Sequence, residues 1–165
     1  MLIRPVYALS RRHWVPTGLH ETFEFFERPG NLPRITPPWL GFRILTPEPI
    51  VMARGLVIDY RVRVLGFPSH WRSAIVEYEP PHMFRDVQLI GPYRLWDHRH
   101  RFRRERGGTL IEDFVVYEMP LGLLGAAIHR LLVDRQLGAI FRYRQARIEE
   151  LLRGSRGGGL MVETA

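Results

Sequence analysis

Hydrophobic and polar positions alternate along most of the chain, most clearly over residues 56–65. There the charged side chains fall on one side of an extended chain, and the other side carries Ile58, Tyr60, Val62 and Val64. This pattern is typical of half-buried strands, because successive side chains of a strand point to opposite faces. The same reasoning predicts strands over residues 6–15, 42–46, 56–65, 71–79, both arms of 84–102, and 109–119.

Helical spacing marks two regions outside these strands. Leu19, Phe23 and Phe26 recur at helical spacing, and Thr17 stands where the N-cap of such a helix is expected. This helix is predicted to end near Glu27, and the proline-rich residues 31–39 then allow at most a short helical turn and an extended link. A long helix is predicted over about residues 124–152, with an apolar stripe of Leu137, Ile140, Phe141, Ile148, Leu151 and Leu152.

The order of these elements predicts an α+β fold. Strands joined by tight turns pair antiparallel, so we expect one curved sheet of about six or seven strands. The apolar face of the sheet needs a cover, and only the C-terminal helix is long enough to supply it. We therefore expect the sheet to wrap around that helix, with two short helices after the first strand. A cavity is expected between the sheet and the long helix.

Residues 84–102 depart most from an ordinary strand pattern. One face of this predicted hairpin carries arginines at alternate positions, including Arg99 and Arg101, and must face solvent. The protected face mixes aromatic rings with polar groups, namely Phe84, Asp86, Gln88, Trp96, His98, His100 and Phe102. A plain core rarely has this composition, because an unpaired buried polar group costs about 1–3 kcal/mol. We therefore interpret this face as the wall of a partly polar cavity.

The composition is that of a folded protein with one domain. The chain has 165 residues, of which 45% are hydrophobic and 25% charged, so it can bury a substantial core. We predict a single domain over residues 1–152 and a flexible glycine-rich tail over residues 153–165. The absence of cysteine excludes disulfides and thiolate chemistry. No secretory signal or membrane-spanning run is apparent, so we expect a cytoplasmic protein without stable membrane insertion.

The net charge of +7 raises the question of nucleic-acid binding. All 24 basic residues are arginine, and they are dispersed over several predicted elements. A nucleic-acid site would concentrate basic residues and exposed aromatic rings on one face. We therefore expect a solvated arginine surface and no nucleic-acid partner.

Short motifs along the chain are shared with a known superfamily. They include Phe23-Glu24-Phe25-Phe26, Pro37-Pro38-Trp39, Gln88-Leu89, Gly91-Pro92-Tyr93 and Pro120-Leu121-Gly122, together with Trp71, Trp96, His98, His100, Phe102, Asp113 and Tyr117. On these residues the sequence resembles the SRPBCC superfamily over about residues 6–152, and especially its small bacterial ligand-binding proteins. The resemblance implies the helix-grip fold of START lipid-transfer domains, polyketide cyclase-like proteins and birch-pollen-allergen-like proteins. It does not imply one chemistry, because this scaffold hosts carriers, sensors and enzymes.

The residue pattern and the resemblance together predict an internal ligand cavity. Its lining is expected to be apolar and aromatic, with a few polar groups that orient the ligand. The predicted ligand-binding residues are Trp39, Phe42, Tyr60, Trp71, Phe84, Asp86, Gln88, Trp96, His98, His100, Phe102, Tyr117, Leu137 and Phe141. For each aromatic residue taken singly, an ordinary packed core is the alternative.

Three roles are open for His98 and His100. With Asp86 or Asp113 they form a set that can bind zinc or iron. They also form a candidate general acid–base pair, since imidazole titrates near neutral pH. In the third role, each imidazole hydrogen-bonds to a neighbouring carboxylate or amide in a wet cavity. No metal motif surrounds the histidines, so we expect neither a metal nor another cofactor.

We expect the protein to bind or carry a hydrophobic small molecule of lipid, polyketide or aromatic type. The alternative is a polyketide cyclase or dehydratase that uses cavity histidines and aspartates as acid–base groups. A regulatory module with a protein partner also stays open. The chain is expected to be a monomer or a homodimer. Residues 123–133 are apolar on more than one side, which suits a dimer contact, a membrane-docking surface or, as we prefer, a cap over the cavity.

Overall fold

The computed structural model describes residues 5–154, without the side chains of Leu123, Leu124 and Ala126. Its strands are β1 (Val6–Val15), β2 (Arg43–Ile44), β3 (Val57–Val64), β4 (Phe67–Glu79), β5 (Met83–Ile90), β6 (Leu95–Glu105) and β7 (Gly108–Glu118). Its α-helices are α1 (Leu19–Glu27), α2 (Leu32–Ile35), α3 (Gly122–Ile128) and α4 (Asp134–Gly154). Short 3₁₀ turns occupy Pro29–Asn31 and Pro38–Leu40, and a π-helical turn occupies His129–Val133. Arg153 and Gly154, the first two residues of the predicted tail, still belong to α4, and the rest of that tail lies outside the described residues. The single domain over 1–152 stays a prediction.

The seven strands form one antiparallel sheet in the order β1-β7-β6-β5-β4-β3-β2. Strands β2 to β7 therefore lie side by side in chain order, and β1 returns to pair with β7. The sheet is curved, and the 21-residue helix α4 packs on its concave side through Leu137 and Phe141. The predicted α+β helix-grip fold, with two short helices after the first strand, is confirmed.

Two tight two-residue turns join neighbouring strands of the sheet. Leu65 and Gly66, with φ of 51° and 86°, join β3 to β4, and Arg106 and Gly107, with φ of 49° and 75°, join β6 to β7. Two-residue loops of this kind match the twist of the strands when both residues have positive φ. The strand predicted to begin at residue 71 therefore begins at Phe67, directly after the turn.

The start of α1 also differs from the prediction. Gly18 is the N-cap, not Thr17, and no side chain caps this helix. The buried Thr17 hydroxyl instead accepts a hydrogen bond from the Thr22 hydroxyl (3.2 Å), and its carbonyl accepts one from the Thr109 hydroxyl of β7 (2.8 Å). Thr17 therefore joins α1 to the sheet. The following segment is more helical than predicted, because its prolines occupy the first positions of short helices, where no N–H is needed.

Buried apolar side chains form two clusters. The first lies between α1, the sheet and the C-terminal part of α4, and includes Phe23, Phe26, Phe84, Phe102, Ile111 and Ile148. The second lies between the sheet and the N-terminal part of α4, and includes Trp71, Tyr93, Trp96, Val115, Leu137 and Phe141. Helix α4 thus contributes to both clusters. Both clusters border the cavity described below.

The predicted cap at residues 123–133 is only partly buried. Val133 is buried, whereas Leu131 and Leu132 are 64% and 52% exposed. The side chains at positions 123, 124 and 126 lie outside the described residues. A dimer contact and a membrane-docking surface stay predictions. None of the helices within the described residues is both long and apolar enough to cross a membrane.

Candidate functional site

A cavity of about 200 Å³, partly open to solvent, lies between the concave face of the sheet and α4. Strands β3 to β6 contribute its floor, because their alternate side chains point toward the helix. Residues of α1 and α2 and of the loop before β3 form its edge. The first part of α4 forms the opposite wall, with Gln136, Leu137, Ile140, Phe141 and Arg144.

Most of the predicted ligand-binding residues line this cavity. They are Phe42, Tyr60, Trp71, Phe84, Asp86, Trp96, His98, His100, Leu137 and Phe141. Several rings contact one another: Tyr60 stacks on Trp71 with centroids 5.9 Å apart, and Trp71 meets Trp96 edge to face at 5.3 Å. The cavity floor is therefore largely an aromatic surface.

Two predicted ligand-binding residues lie away from the cavity because local contacts hold them elsewhere. Trp39 is 52% exposed and packs edge to face on Tyr143 of α4, with centroids 5.6 Å apart. The Gln88 amide folds over the turn after β5, where it donates to the Tyr93 carbonyl (2.6 Å) and accepts from the Tyr93 N–H (3.3 Å). Gln88 therefore shapes the hairpin, and its side chain is not among the cavity-lining groups.

Two further predicted residues are buried without lining the cavity. Phe102 belongs to the first core cluster, where its ring centroid lies 5.0 Å from that of Phe26. Tyr117 is 3% exposed, and its hydroxyl is hydrogen-bonded to His129 Nε2 at 2.7 Å. Burial raises the pKa of Tyr117 to about 12, so its hydroxyl stays protonated. Both residues occupy the predicted face of their strands, but Phe102 packs against α1 and Tyr117 lies on β7, beside the cavity-lining Trp96.

The prediction missed several lining residues. Ile58, Ser73 and Ile75 alternate on the predicted inward faces of β3 and β4, so strand periodicity could have identified them. Arg144 follows Phe141 by one helical turn, so the apolar stripe of α4 pointed to it as well. The lining residues from the irregular segments around α2 carry no comparable periodic signal.

Three polar side chains in the cavity floor satisfy one another. The Tyr60 hydroxyl and the Ser73 hydroxyl are 2.9 Å apart, and Trp71 Nε1 donates to the Ser73 oxygen at 3.0 Å. Burial raises the pKa of Tyr60 far above its usual value, so Tyr60 stays neutral. This part of the floor consequently presents ring faces, because its hydrogen-bonding groups are already paired.

Asp86, His98, His100 and Asp113 form a buried cluster at one side of the cavity, here called the histidine–carboxylate cluster. The sheet register creates it, since Asp86 pairs with His98 across β5 and β6, and His100 pairs with Asp113 across β6 and β7. His98 Nε2 donates to Asp113 Oδ1 (3.0 Å), and His100 Nε2 donates to Asp86 Oδ1 (3.2 Å). Asp113, predicted as a catalytic candidate, lies behind the histidines and does not line the cavity.

One contact within the cluster is close but poorly directed. His100 Nδ1 lies 2.8 Å from Asp113 Oδ1, yet its geometry does not make a hydrogen bond. This nitrogen is buried and has no hydrogen-bond partner among residues 5–154. The two imidazole centroids are 3.7 Å apart, and Phe84 stacks on His100 at 4.2 Å. The rings are thus tightly held, although not every polar atom is satisfied.

Burial and neighbouring charges displace every pKa in the cluster. Burial lowers the pKa of His98, and the adjacent His100 lowers it further. Burial also opposes a charge on His100, but the contacts with Asp113 and Asp86 outweigh it and raise the pKa of His100. Burial disfavours both carboxylates, yet the histidines hold the pKa of Asp86 below its usual value and that of Asp113 well below. The carboxyls therefore stay ionised, and the two imidazoles differ in proton affinity.

The same groups are the candidate metal ligands among the described residues. One donor atom from each of Asp86, His98 and His100 lies within 4.8 Å of the other two. Such a set can either hold a cation or transfer protons. All three side chains line the cavity, so either role would act on a molecule bound there.

Comparisons with solved structures show the fold. The di-domain ARO/CYC StfQ from the steffimycin biosynthetic pathway is 15% identical, with a TM-score of 0.73 over 92% of this chain and 52% of that chain. Ginseng major latex-like protein 151 from Panax ginseng is 14% identical, with a TM-score of 0.66 over 89% and 97% of the two chains. Ara h 8.0201 is 14% identical, with a TM-score of 0.59 over 87% and 98%. No family model matches the chain, and neither does any curated protein.

Proposed function

The chain has the helix-grip fold of SRPBCC proteins, and we propose that it binds or carries a hydrophobic small molecule in the cavity between the sheet and α4. The observation that carries this proposal is the largely apolar, aromatic lining of a cavity that is partly open to solvent. Ligand sites typically combine such a lining with a few polar groups that fix orientation. The structural likeness to the di-domain ARO/CYC StfQ and to a latex-like protein is consistent with this use of the fold.

The size of the cavity favours a compact ligand. An apolar protein cavity of about 150 Å³ accommodates benzene. The cavity here, at about 200 Å³, suits a molecule of one or two rings better than an extended acyl chain. We therefore infer an aromatic or small polycyclic ligand within the broader class of hydrophobic molecules.

One polar group on the α4 wall indicates what the ligand carries. Arg144 lines the cavity, and its Nε is buried without a hydrogen-bond partner in the part of the chain that the structure describes. A guanidinium donates and cannot accept. A ring with a phenol or carbonyl oxygen would supply the missing acceptor. Ring stacking on Trp71 or Trp96 and a bond to Arg144 are therefore the expected contacts.

Filling the cavity should block binding. Val62 lines the cavity from β3, and Val62→Phe places a ring in the space of the ligand. We expect the affinity for 1-naphthol, measured by quenching of cavity tryptophan fluorescence, to fall at least about tenfold, or about 1.4 kcal/mol. Val57→Phe is the matched control, because Val57 lies on the opposite face of the same strand and is 40% exposed.

Equal loss in both variants, or no saturable binding by the unaltered protein, would argue against the proposal. Native mass spectrometry after incubation with lipid and polyketide extracts extends the search beyond one probe. A retained ligand that is absent from Val62→Phe and present in Val57→Phe would support the cavity as its site.

Acid–base catalysis on a polyketide-like substrate is the second candidate function. The observation that favours it is the placement of two imidazoles between two buried carboxylates beside an apolar cavity, where burial lowers the pKa of His98 and the carboxylates raise that of His100. Groups whose environments separate their pKa values in this way suit the roles of base and acid. Cyclisation or dehydration of a polyketide needs such proton transfers and no activated nucleophile.

His98→Gln distinguishes carriage from catalysis. If the cluster is catalytic, this substitution should lower turnover of a polyketide substrate by about 10²–10⁴-fold, as followed by liquid chromatography and mass spectrometry. Binding of 1-naphthol should stay within about twofold, since the amide replaces only part of one wall. Unchanged turnover, or no turnover by the unaltered protein, would leave carriage as the function.

A further inference from the structure

Each histidine of the cluster lies between the two carboxylates, although the two rings present opposite nitrogens to them. His98 directs Nε2 to Asp113 (3.0 Å) and Nδ1 toward Asp86 (4.0 Å). His100 has Nδ1 beside Asp113 (2.8 Å) and Nε2 beside Asp86 (3.2 Å). Each ring therefore has one nitrogen on the Asp113 side and one on the Asp86 side. Asp86 lines the cavity, whereas Asp113 is buried and does not line it.

This two-sided arrangement is the one found around metal-binding histidines. A ligating histidine commonly gives its second nitrogen to a carboxylate, which fixes the ring and its tautomer. Asp113 is in the position of that outer carboxylate, with a side chain only 4% exposed. Its hydrogen bond to His98 is already formed, and a rotation of the His100 ring would align the second.

Charge gives an independent reason to expect a cation. Asp86 and Asp113 contribute two buried carboxylates, and within residues 5–154 their only ion-pair partners are His98 and His100. No arginine of the described chain lies within ion-pair distance of either carboxylate, and Arg144 of α4 acts on Asp86 from farther away. Buried carboxylates normally need a cation or several donors. One divalent ion with two neutral imidazoles would balance both charges.

We propose that Asp86, His98 and His100 bind one divalent first-row transition metal ion, with Asp113 as the positioning residue behind both histidines. Two imidazoles and one carboxylate are ligands that zinc and iron(II) accept. The donor atoms lie within 4.8 Å of one another, and ligands of one such ion are about 3 Å apart. The His98–Asp86 distance of 4.0 Å is longer than this and must shorten when the ion binds. Three protein ligands leave a position open toward the cavity.

This proposal goes beyond small-molecule binding and departs from the expectation of no metal drawn from the sequence alone. The sequence shows two histidines two positions apart, which is weak support for a metal. Only the sheet register places Asp86 on the β5 side of the two histidines and Asp113 on the β7 side. The site needs no organic ligand, so it can be tested whether or not the cavity proposal holds.

Cobalt titration of the chelator-treated full chain tests the site. We expect one equivalent of Co²⁺ to bind with visible d–d absorption, and one equivalent of Zn²⁺ to displace it, as measured by absorption and by metal analysis after desalting. Asp86→Asn and His98→Gln should each weaken binding by at least about 100-fold, and Asp113→Asn by about 10–100-fold with the cobalt spectrum altered. Circular dichroism shows whether each variant is folded.

His70→Gln is the matched control. His70 Nε2 lies 2.6 Å from Asp59, so this exposed pair is a surface histidine–carboxylate site outside the cavity. We expect His70→Gln to bind cobalt as the unaltered protein does. Loss of binding in this control, or no binding by the unaltered protein at micromolar metal, would overturn the proposal. If the ligand variants do not fold, the thermal midpoint of the unaltered protein decides: no rise with one equivalent of Zn²⁺ contradicts the site.

Discussion

Replacing Phe102 with alanine is expected to lower the free energy of unfolding by about 3–5 kcal/mol, the usual cost of truncating a fully buried phenylalanine. Phe102 is 2% exposed and lies among other rings, with centroids 5.3 Å from Phe23, 5.0 Å from Phe26 and 6.0 Å from Phe84. These partners come from α1 and β5, so the void would weaken contacts between separate elements. Urea unfolding followed by circular dichroism measures the loss.

Phe114→Ala is the control for this truncation. Phe114 lies on the neighbouring strand β7 but is 46% exposed, so its loss should cost about 1 kcal/mol or less. Similar losses in the two variants would contradict the assignment of Phe102 to the core. Binding of 1-naphthol by folded Phe102→Ala should be retained, because Phe102 does not line the cavity. If Phe102→Ala lost 1-naphthol binding without a loss of unfolding free energy, Phe102 would have to be assigned to the ligand site.

The position of Phe102 illustrates how far the sequence predicts this fold. Alternation placed Trp96, His98, His100 and Phe102 on one buried face of β6, and all four are buried on that face. Alternation assigns a residue to one face of the strand, however, and does not show which positions along the strand border the cavity. Phe102 is on the correct face but packs under α1, which closes this end of the sheet before the cavity begins.

Side chains whose orientation depends on irregular segments or turns were harder to predict than the strands themselves. β1 was predicted with the bounds that the structure has, Val6–Val15, because its pattern is local. Trp39 follows three prolines in an aperiodic segment, so no periodicity indicated that its ring would lie against Tyr143 on the outside of α4. Gln88 was predicted to bind the ligand because of its strand face, but its amide hydrogen-bonds to the Tyr93 carbonyl in the adjacent turn. Local hydrogen bonding here overrides the orientation that the strand pattern implies.

The histidine–carboxylate cluster depends on information that no single strand contains. Its four residues lie on β5, β6 and β7, and they meet because His98 pairs with Asp86 while His100 pairs with Asp113. A shift of one residue in either register would send a carboxylate to the opposite face. The four residues could be predicted as candidates from their types, whereas the placement of one carboxylate on each side of the histidine pair could not. That arrangement is the basis for the proposed cation site.

The proposed roles of this cluster exclude one another at a given moment. A metal ion on His98 and His100 would occupy the nitrogens that acid–base catalysis needs. In a metal-free protein, the two carboxylates raise the pKa of His100 against the effect of burial, so a proton favours His100 over His98. Metal content and turnover should therefore be measured on the same sample. In either state the cluster forms a polar wall of a cavity whose other walls are apolar.

Replacing Asp113 with alanine in the metal-free protein should lower the free energy of unfolding by about 3–5 kcal/mol, because removal of one partner leaves buried polar groups uncompensated. Asp113 is 4% exposed and accepts the hydrogen bond of His98 Nε2 at 3.0 Å. Its loss leaves that nitrogen without an acceptor and removes the negative charge that favours a proton on His100. Unfolding in urea with excess chelator isolates this effect from any bound metal.

Two graded variants make the Asp113 prediction specific. Asp113→Asn keeps one oxygen acceptor for His98 and should cost less than Asp113→Ala, about 1–3 kcal/mol. Glu112→Gln alters the adjacent carboxylate, which pairs with Arg12 (2.7 Å) on the solvent-facing side of β7, and should cost about 1 kcal/mol or less. A loss below about 1 kcal/mol for Asp113→Ala would show that the histidines do not depend on this carboxylate. The loss of unfolding free energy should therefore be largest for Asp113→Ala, smaller for Asp113→Asn and smallest for Glu112→Gln. This order follows from burial, because an ionic contact contributes most where water cannot replace it.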